Sequence, residues 1–222
     1  MALAVDLFWS FRSPYSYLAT PRLVALARDW DVAIAVRPVL PIALRDPDKV
    51  FANPLAPLYI LRDAARTAEY LGLPLGWPRP DPVVQEFVTR RIAPEQPHAW
   101  RLTRLGVAAA RAGRGLAFID EVSRLLWSGT VDGWDQGDHL AAATRRAGLD
   151  LAQLESTIAR EQAAIDAELD ANHAALGAAG HWGVPTMVFQ GEPFFGQDRI
   201  DLLVWRLRQH GLTARPAAQR LR

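Results

Sequence analysis

The chain has 222 residues, half of them hydrophobic and 22% charged, a composition that supports a buried core without disulfides or a structural metal. Its 25 basic and 24 acidic residues leave a net charge of +1, so no global field steers it to nucleic acid or to an anionic membrane. It contains no cysteine, which excludes disulfides, thiolate metal sites, a cysteine nucleophile and disulfide exchange by the protein itself.

Residues 5–8 are apolar apart from Asp6 and predict a short strand. Ser13-Pro14-Tyr15-Ser16 follows. Pro14 suits the first turn of a helix, where its missing N–H costs nothing. From Tyr15 to Trp30 apolar residues recur at helical spacing, through Leu18, Leu23, Leu26 and Ala27. Residues 32–39 are β-branched and alternating, and predict a second strand. Strand, helix, strand is the order of a parallel crossover unit.

From Pro57 to about residue 175 the pattern is almost wholly helical, broken by a proline-rich stretch over 74–82. Helices are predicted at 58–71, 97–112, 115–128, 138–147 and 150–176, with Gly72, Gly113, Gly148 and Gly177 as C-cap glycines. After Gly180 the chain returns to β character: a strand over 186–189, a turn at Gln190-Gly191-Glu192 and a strand over 193–195. Asp198 is expected to N-cap a last helix over 199–210, with Ile200, Leu203, Val204 and Leu207 inward. The basic tail from Thr213 reads as frayed. The predicted fold class is α/β: a domain of residues 1–45 and 178–212 interrupted by an all-helical insertion of 46–177, with a flexible tail over 213–222.

Four places carry candidate chemistry, and each has a plain reading beside it. Ser13 sits at a helix N-cap, and spacing alone favours an ordinary capping serine. Its functional reading is a hydroxyl that hydrogen-bonds a thiolate, at a helix end that lowers a thiol's pKa from about 8.5 toward neutral. A chain with no thiol borrows that sulfur from a ligand. Ser16 reads as a helix-surface hydroxyl or a support for Ser13. Gly183-Val184-Pro185-Thr186 is either a loop proline opening a strand or a cis Val-Pro bond. The cis form leaves the Val184 N–H and C=O facing the site, free to pair with an extended peptide.

Gly196-Gln197-Asp198-Arg199 is either a helix start with a surface arginine or a pocket for an amino-acid head group. Asn53-Pro54, Tyr59 and Arg62-Asp63 form an ordinary turn and an exposed pair, or else offer an amide to a peptide ligand and a cation to a carboxylate. The five histidines have no metal-ligand spacing, and no metal is expected. His181 stands out, two residues before Gly183. Trp9, Trp77 and Trp182 lie near the proposed cleft, and Phe194-Phe195 reads as core. The first six residues lack a basic segment followed by a long apolar one, and no apolar run approaches a membrane span, so a cytoplasmic location is expected.

Taken together the motifs resemble the 2-hydroxychromene-2-carboxylate isomerases and kappa-class glutathione transferases, in the DsbA-like branch of the thioredoxin fold. The resemblance rests on Ser13-Pro14-Tyr15-Ser16-Tyr17-Leu18, Asn53-Pro54, Tyr59, Leu61-Arg62-Asp63, Trp182-Gly183-Val184-Pro185-Thr186 and Phe195-Gly196-Gln197-Asp198-Arg199, and it covers nearly the whole chain. It implies a thioredoxin-like domain with an inserted helical domain and glutathione as cofactor between them. It places Ser13 at the glutathione sulfur and the Val184 main chain before Pro185 at the cysteinyl part. Gln197, Asp198 and Arg199 then hold the γ-glutamyl end, and Asn53 supports the ligand from the helical side. Tyr59, Arg62 and Trp182 are the substrate candidates, and a homodimer with no nucleic-acid or membrane partner is expected. The chain departs from the family in lacking a lysine after Asn53, a role for which Arg62 is the candidate. The implied chemistry is isomerisation through transient thiolate addition. The alternatives are transfer of glutathione to another electrophile and a non-catalytic thioredoxin-fold module.

Overall fold

The computed structural model describes residues 3–47, 49, 55–86, 89 and 91–216. Four strands form one sheet in the order β2-β1-β3-β4. β1 (Leu3–Trp9) is central because it is apolar on both faces, with Leu7, Phe8 and Trp9 all buried. β2 (Val32–Pro38) pairs parallel to it, Leu3 opposite Val32 through Trp9 opposite Pro38. Parallel neighbours need a crossover, and α1 (Pro14–Asp29) supplies it. β3 (Thr186–Phe189) pairs antiparallel to the other side of β1, with Leu7 opposite Met187. β4 (Glu192–Phe195) pairs antiparallel to β3. Between them Gln190 and Gly191 take φ of 51° and 83°, the left-handed pair that a two-residue hairpin turn requires. The late hairpin thus completes the first half's sheet, as its pattern predicts.

Between β2 and β3 lie a single turn α2 (Ile42–Arg45), which the sequence pattern does not announce, and then α3 (Ala56–Leu71), α4 (Pro97–Arg111), α5 (Gly115–Trp127), α6 (His139–Arg146) and α7 (Leu151–Ala178). Asp150 caps α7 by accepting from the Gln153 N–H at 2.9 Å, and Glu161 leaves helical geometry inside it. A 3₁₀ turn (Gln197–Arg199) leads into α8 (Ile200–Gln209).

One apolar cluster joins Val5, Leu7 and Trp9 of the sheet to Leu18 and Leu23 of α1, and continues into Leu102, Phe118, Trp127 and Trp134 of the helical region. On another part of the sheet Leu176 of α7 packs with Phe8 and Val39, against Val184 and Val188. Asn172 fixes that end of α7 by donating to the Pro38 carbonyl at 3.1 Å. α7 therefore delivers the chain to the edge of the sheet where β1 ends and α1 begins.

Three local expectations are corrected. Gly177 does not end α7; the helix runs to Ala178 and the chain turns left-handed at Gly180, φ 90°, because buried Leu176 holds the last turn in helix. Asp198 does not cap α8; it lies inside the 3₁₀ turn, which makes no side-chain cap. Val204 does face inward with Ile200, Leu203 and Leu207, packing partly buried against the same core. The tail is not frayed at its start: Asp31 N–H bonds the Thr213 carbonyl and Arg215 N–H the Asp29 carbonyl, each at 2.8 Å.

Candidate functional site

From Trp9 the chain turns through Ser10-Phe11-Arg12 into α1. Ser13 is the N-cap, with extended backbone, and its Oγ accepts the Ser16 N–H at 3.1 Å. The same hydroxyl donates to the Val184 carbonyl at 3.3 Å. A helix N-terminus presents open N–H groups and the positive end of its dipole, so negative charge beside Ser13 is favoured.

Opposite Ser13 lies the segment leading into β3. The Val184–Pro185 peptide bond is cis. The Val184 N–H has no partner among the described residues. Its surroundings are tied down on three sides. Gly183 N–H donates to His181 Nδ1 at 2.9 Å, Thr186 Oγ1 donates to the Gly183 carbonyl at 2.8 Å, and Gly196 N–H donates to the Pro185 carbonyl at 2.9 Å.

That last bond brings Gly196-Gln197-Asp198-Arg199 beside Pro185. Gly196 has φ 106°, and an added Cβ would lie 2.5 Å from Asp198 Oδ1, so only glycine lets the carboxylate fold back over the main chain. Arg22 of α1 holds the Gln197 carbonyl at 3.1 Å and Asp201 at 2.5 Å. Asp198 is exposed and pairs with its neighbour Arg199 at 2.9 Å.

The helical wall is fastened to α1 by Tyr15, whose hydroxyl donates to Asp63 at 2.7 Å. Asp63 also accepts from Arg66 at 2.5 Å and from the Tyr59 hydroxyl at 3.4 Å. The Arg66 and Tyr15 donors hold its carboxyl below the ordinary range, while burial and the bond to Asp63 push the Tyr15 hydroxyl up. Arg62 is exposed and makes no ion pair among the described residues. Arg12 binds Asp81 with two donors at 2.7 and 2.9 Å, and its guanidinium lies 5.7 Å from the Trp77 ring. The proline-rich stretch is thereby anchored next to Ser13. Arg45 donates to the Leu40 carbonyl at 2.6 Å and to the Trp182 carbonyl at 3.0 Å; burial pulls its pKa down to about 10.

Ser13 and Val184 therefore meet at the start of α1, Pro185 follows with Gly196 bonded to its carbonyl, and Gln197 is held further along α1 by Arg22, with Asp198 and Arg199 exposed in the same 3₁₀ turn. Tyr59 and Arg62 sit on α3, joined to α1 through Asp63 and Tyr15. Trp182 is exposed on the segment before Val184, with Lys49 5.9 Å from its ring. Asn53 and Pro54 lie outside the described residues. Three expectations are corrected. Trp9 is not at a cleft; it is fully buried, and its Nε1 donates to the Ser16 carbonyl and to Thr20 Oγ1. Ser16 is buried rather than on the helix surface, because its face of α1 packs on Trp9. Phe195 is exposed rather than core, since it stacks on His181 with ring centroids 3.9 Å apart. The arginine anchors have no sequence signature, as Arg12–Asp81, Arg45–Trp182 and Arg22–Gln197 join residues 69, 137 and 175 positions apart. No group of side chains suited to a metal ion occurs among the described residues, and none of their helices is long and apolar enough to cross a membrane.

A central strand running into a helix whose N-terminus faces a proline-bearing segment, with a helical region inserted after β2, defines a thioredoxin-like fold of DsbA type. Residues 4–208 match the DSBA-like thioredoxin domain, and the chain belongs to that family. It is distantly similar to the 2-hydroxychromene-2-carboxylate isomerase of Pseudomonas sp. (strain C18), with 27% identity over 208 residues covering 91% of this chain and 89% of that one. The enzyme of the same name from Pseudomonas putida is 26% identical over 207 residues, covering 90% and 92%. Among solved structures, a selenomethionine 2-hydroxychromene-2-carboxylate isomerase superposes with a TM-score of 0.70 at 22% identity, over 93% of this chain and 95% of that one. The cytosolic disulfide reductase DsbM of Pseudomonas aeruginosa with GSH superposes at 0.58 and 16% identity, over 93% and 100%.

Proposed function

We propose that this protein is a glutathione-dependent isomerase of a small aromatic or cyclic keto-carboxylate. The observation that carries the reading is the Ser13 hydroxyl at the start of α1, 3.3 Å from the carbonyl of Val184, whose N–H has no partner among the described residues, in a chain with no cysteine. The two curated relatives named for this activity support it, as does the related fold of a reductase solved with GSH.

In this reading the glutathione backbone pairs with the Val184 N–H and C=O as an added strand. The Ser13 O–H turns from the Val184 carbonyl to the sulfur and, with the helix N-terminus, stabilises the thiolate. Asp198 takes the γ-glutamyl ammonium, while Gln197 and Arg199 line the same end. Tyr59, Arg62 and Trp182 face the substrate, with Arg62 for its carboxylate and Asn53 on the helical side. The thiolate forms a C–S bond to an electron-poor carbon, the adduct opens and rotates, and the same C–S bond then breaks. Glutathione leaves unchanged and no oxidant is consumed, so one hard step becomes two easier ones. The reading includes a cytoplasmic homodimer. Transfer of glutathione to another electrophile uses the same site and differs in a product that keeps the sulfur.

The test is calorimetric titration of the protein with reduced glutathione and with S-methylglutathione. Saturable binding, weakened when the sulfur is methylated, supports the reading. Ser13→Ala should then cut turnover about ten- to a thousandfold, as for loss of one oxyanion-type donor. No binding at millimolar glutathione removes the enzyme reading.

A further inference from the structure

His181 has no role in the isomerase chemistry proposed for Ser13. Its imidazole lies with two other rings, Phe195 of β4 at 3.9 Å and 23° and Trp182 at 5.4 Å and 16°. Its Nδ1 accepts the Gly183 N–H at 2.9 Å. Gly183 has no room for a side chain: an added Cβ would lie 2.5 Å from the Phe195 ring and 3.1 Å from His181 Cε1. A glycine chosen for close approach brings conformational freedom with it, and needs an outside tie to hold one geometry.

The tie matters because Val184 is the next residue in the chain. The peptide between Gly183 and Val184 is planar, so fixing the Gly183 carbonyl also fixes the direction of the Val184 N–H. Thr186 Oγ1 holds that carbonyl at 2.8 Å, and His181 holds the N–H on the other side of the same glycine. Between them they leave Gly183 little rotation. We propose that His181 is a positioning residue whose unprotonated Nδ1, through Gly183, aims the Val184 main chain at the ligand that Ser13 faces.

A nitrogen that accepts a hydrogen bond is unprotonated, and the proton of the neutral ring is on Nε2; imidazolium has donors at both positions and cannot serve. The groups packed on the ring are Phe195, Trp182 and Gly183, none of them ionisable; the charged groups nearest this cluster in the described contacts are Arg45, which donates to the Trp182 carbonyl at 3.0 Å, and Lys49, 5.9 Å from the Trp182 ring. No carboxylate pairs with His181 among the described residues, and burial holds the imidazole below its ordinary value of 6.5. The neutral form is therefore the one present near pH 7.

The ligand half of this inference rests on the glutathione reading; the loop half does not, and the experiment separates them. In the full-length ¹⁵N-labelled protein without ligand, the His181 ring nitrogens and the Gly183 amide are followed by NMR as pH falls. The expected result is an Nε2–H tautomer and a Gly183 amide that shifts with ring protonation, exchanging with solvent about tenfold faster or more. Glutathione affinity is then measured for the wild type, His181→Asn, His181→Gln and His181→Ala. Asparagine puts its oxygen where Nδ1 stood and should keep affinity within about threefold while removing the acid dependence. Glutamine puts its acceptor where Nε2 stood and, like alanine, should weaken binding about tenfold. A Gly183 amide indifferent to ring titration, or asparagine and glutamine weakening binding equally, overturns the proposal. If glutathione fails to bind the wild type at any pH while the Gly183 amide still follows the ring, the glutathione reading falls and the positioning role stands.

Discussion

The Tyr15 hydroxyl and the Asp63 carboxylate meet at 2.7 Å, joining the first turn of α1, two residues past Ser13, to the helix that carries Tyr59 and Arg62. The bond sets how α3 stands against the candidate site, since Ala64 and Ala68 are the only α3 residues buried outright. Tyr15→Phe keeps the ring and removes one donor to a charged acceptor. Arg66 still pairs with Asp63, so no unpaired charge is left behind. The expected loss is about 1 kcal/mol, that of an ordinary hydrogen bond, because the partly open setting lets water screen the charged acceptor. Urea unfolding measures it, and an unchanged midpoint would show that the bond does not hold α3 in solution.

Ser13→Cys turns the borrowed sulfur into a resident one. A thiol at this N-cap should titrate well below its ordinary value of about 8.5, between about 4 and 7. Ser16 remains a hydroxyl, so no internal disulfide forms. The thiolate should attack glutathione disulfide, forming a protein–glutathione disulfide and releasing one glutathione thiolate. Ultraviolet titration of the thiolate and the mass of the adduct read the two steps. A thiol of ordinary pKa would remove the helix N-terminus from the activation argument.

The sheet was legible because its signals are local. Residues 32–39 alternate, Gln190-Gly191 is a hairpin turn, and Pro14 opens a helix; each constrains backbone within a few residues of itself. The meeting of Ser13 and Val184 was legible only through the motifs of a known family, since no periodicity joins positions 171 residues apart. Three side chains differ from their sequence expectation for one physical reason. Residue type alone does not set the burial of Trp9, Ser16 and Phe195; partners elsewhere in the chain do, Thr20 for Trp9, Trp9 for Ser16 and His181 for Phe195. α2 escaped notice because four residues between prolines and an aspartate carry no helical period.

A close approach of two glycines gives a test of packing that no motif announces. Gly76 N–H donates to the Trp127 carbonyl at 2.7 Å, and a Cβ on Gly76 would lie 2.4 Å from the Gly129 Cα. The obstacle is main chain and cannot swing aside. Gly76→Ala should therefore cost about 2 kcal/mol or more, in the range of overpacked cores. Gly113→Ala is the control: nothing lies within 4 Å of its Cβ, and only its φ of 70° opposes the change, for about 1 kcal/mol. Urea unfolding of both variants should rank them in that order, and the reverse order would show that the two loops separate readily.

Two imidazoles give the fold an acid limb of defined sign. Burial lowers both His173 and His181 from 6.5, and the nearby Arg45 charge lowers His173 further. Their unfolded-state value is the ordinary one, so as pH falls through about 6.5 the unfolded chain takes up protons first and stability drops. The loss continues until pH passes the lower folded-state values, where both states are protonated. Asp63 and Asp46, held below 3.8 by their donors, act in the same sense further down: their contribution is present above about 3.8 and is lost as pH falls through the folded values. Asp120, partly buried, is raised by desolvation and opposes them, since the native state protonates it first. Asp63 and Asp46 stay charged between pH 7 and 5, so of the groups that lower stability as pH falls the two histidines act there, against Asp120. Urea midpoints should fall steadily from pH 7 to 5 for the wild type, and the slope should flatten when His173→Gln and His181→Asn are combined. A wild-type midpoint constant over that interval would mean that neither ring is held neutral by the fold, and it would remove the acid sensitivity expected of the His181–Gly183 tie.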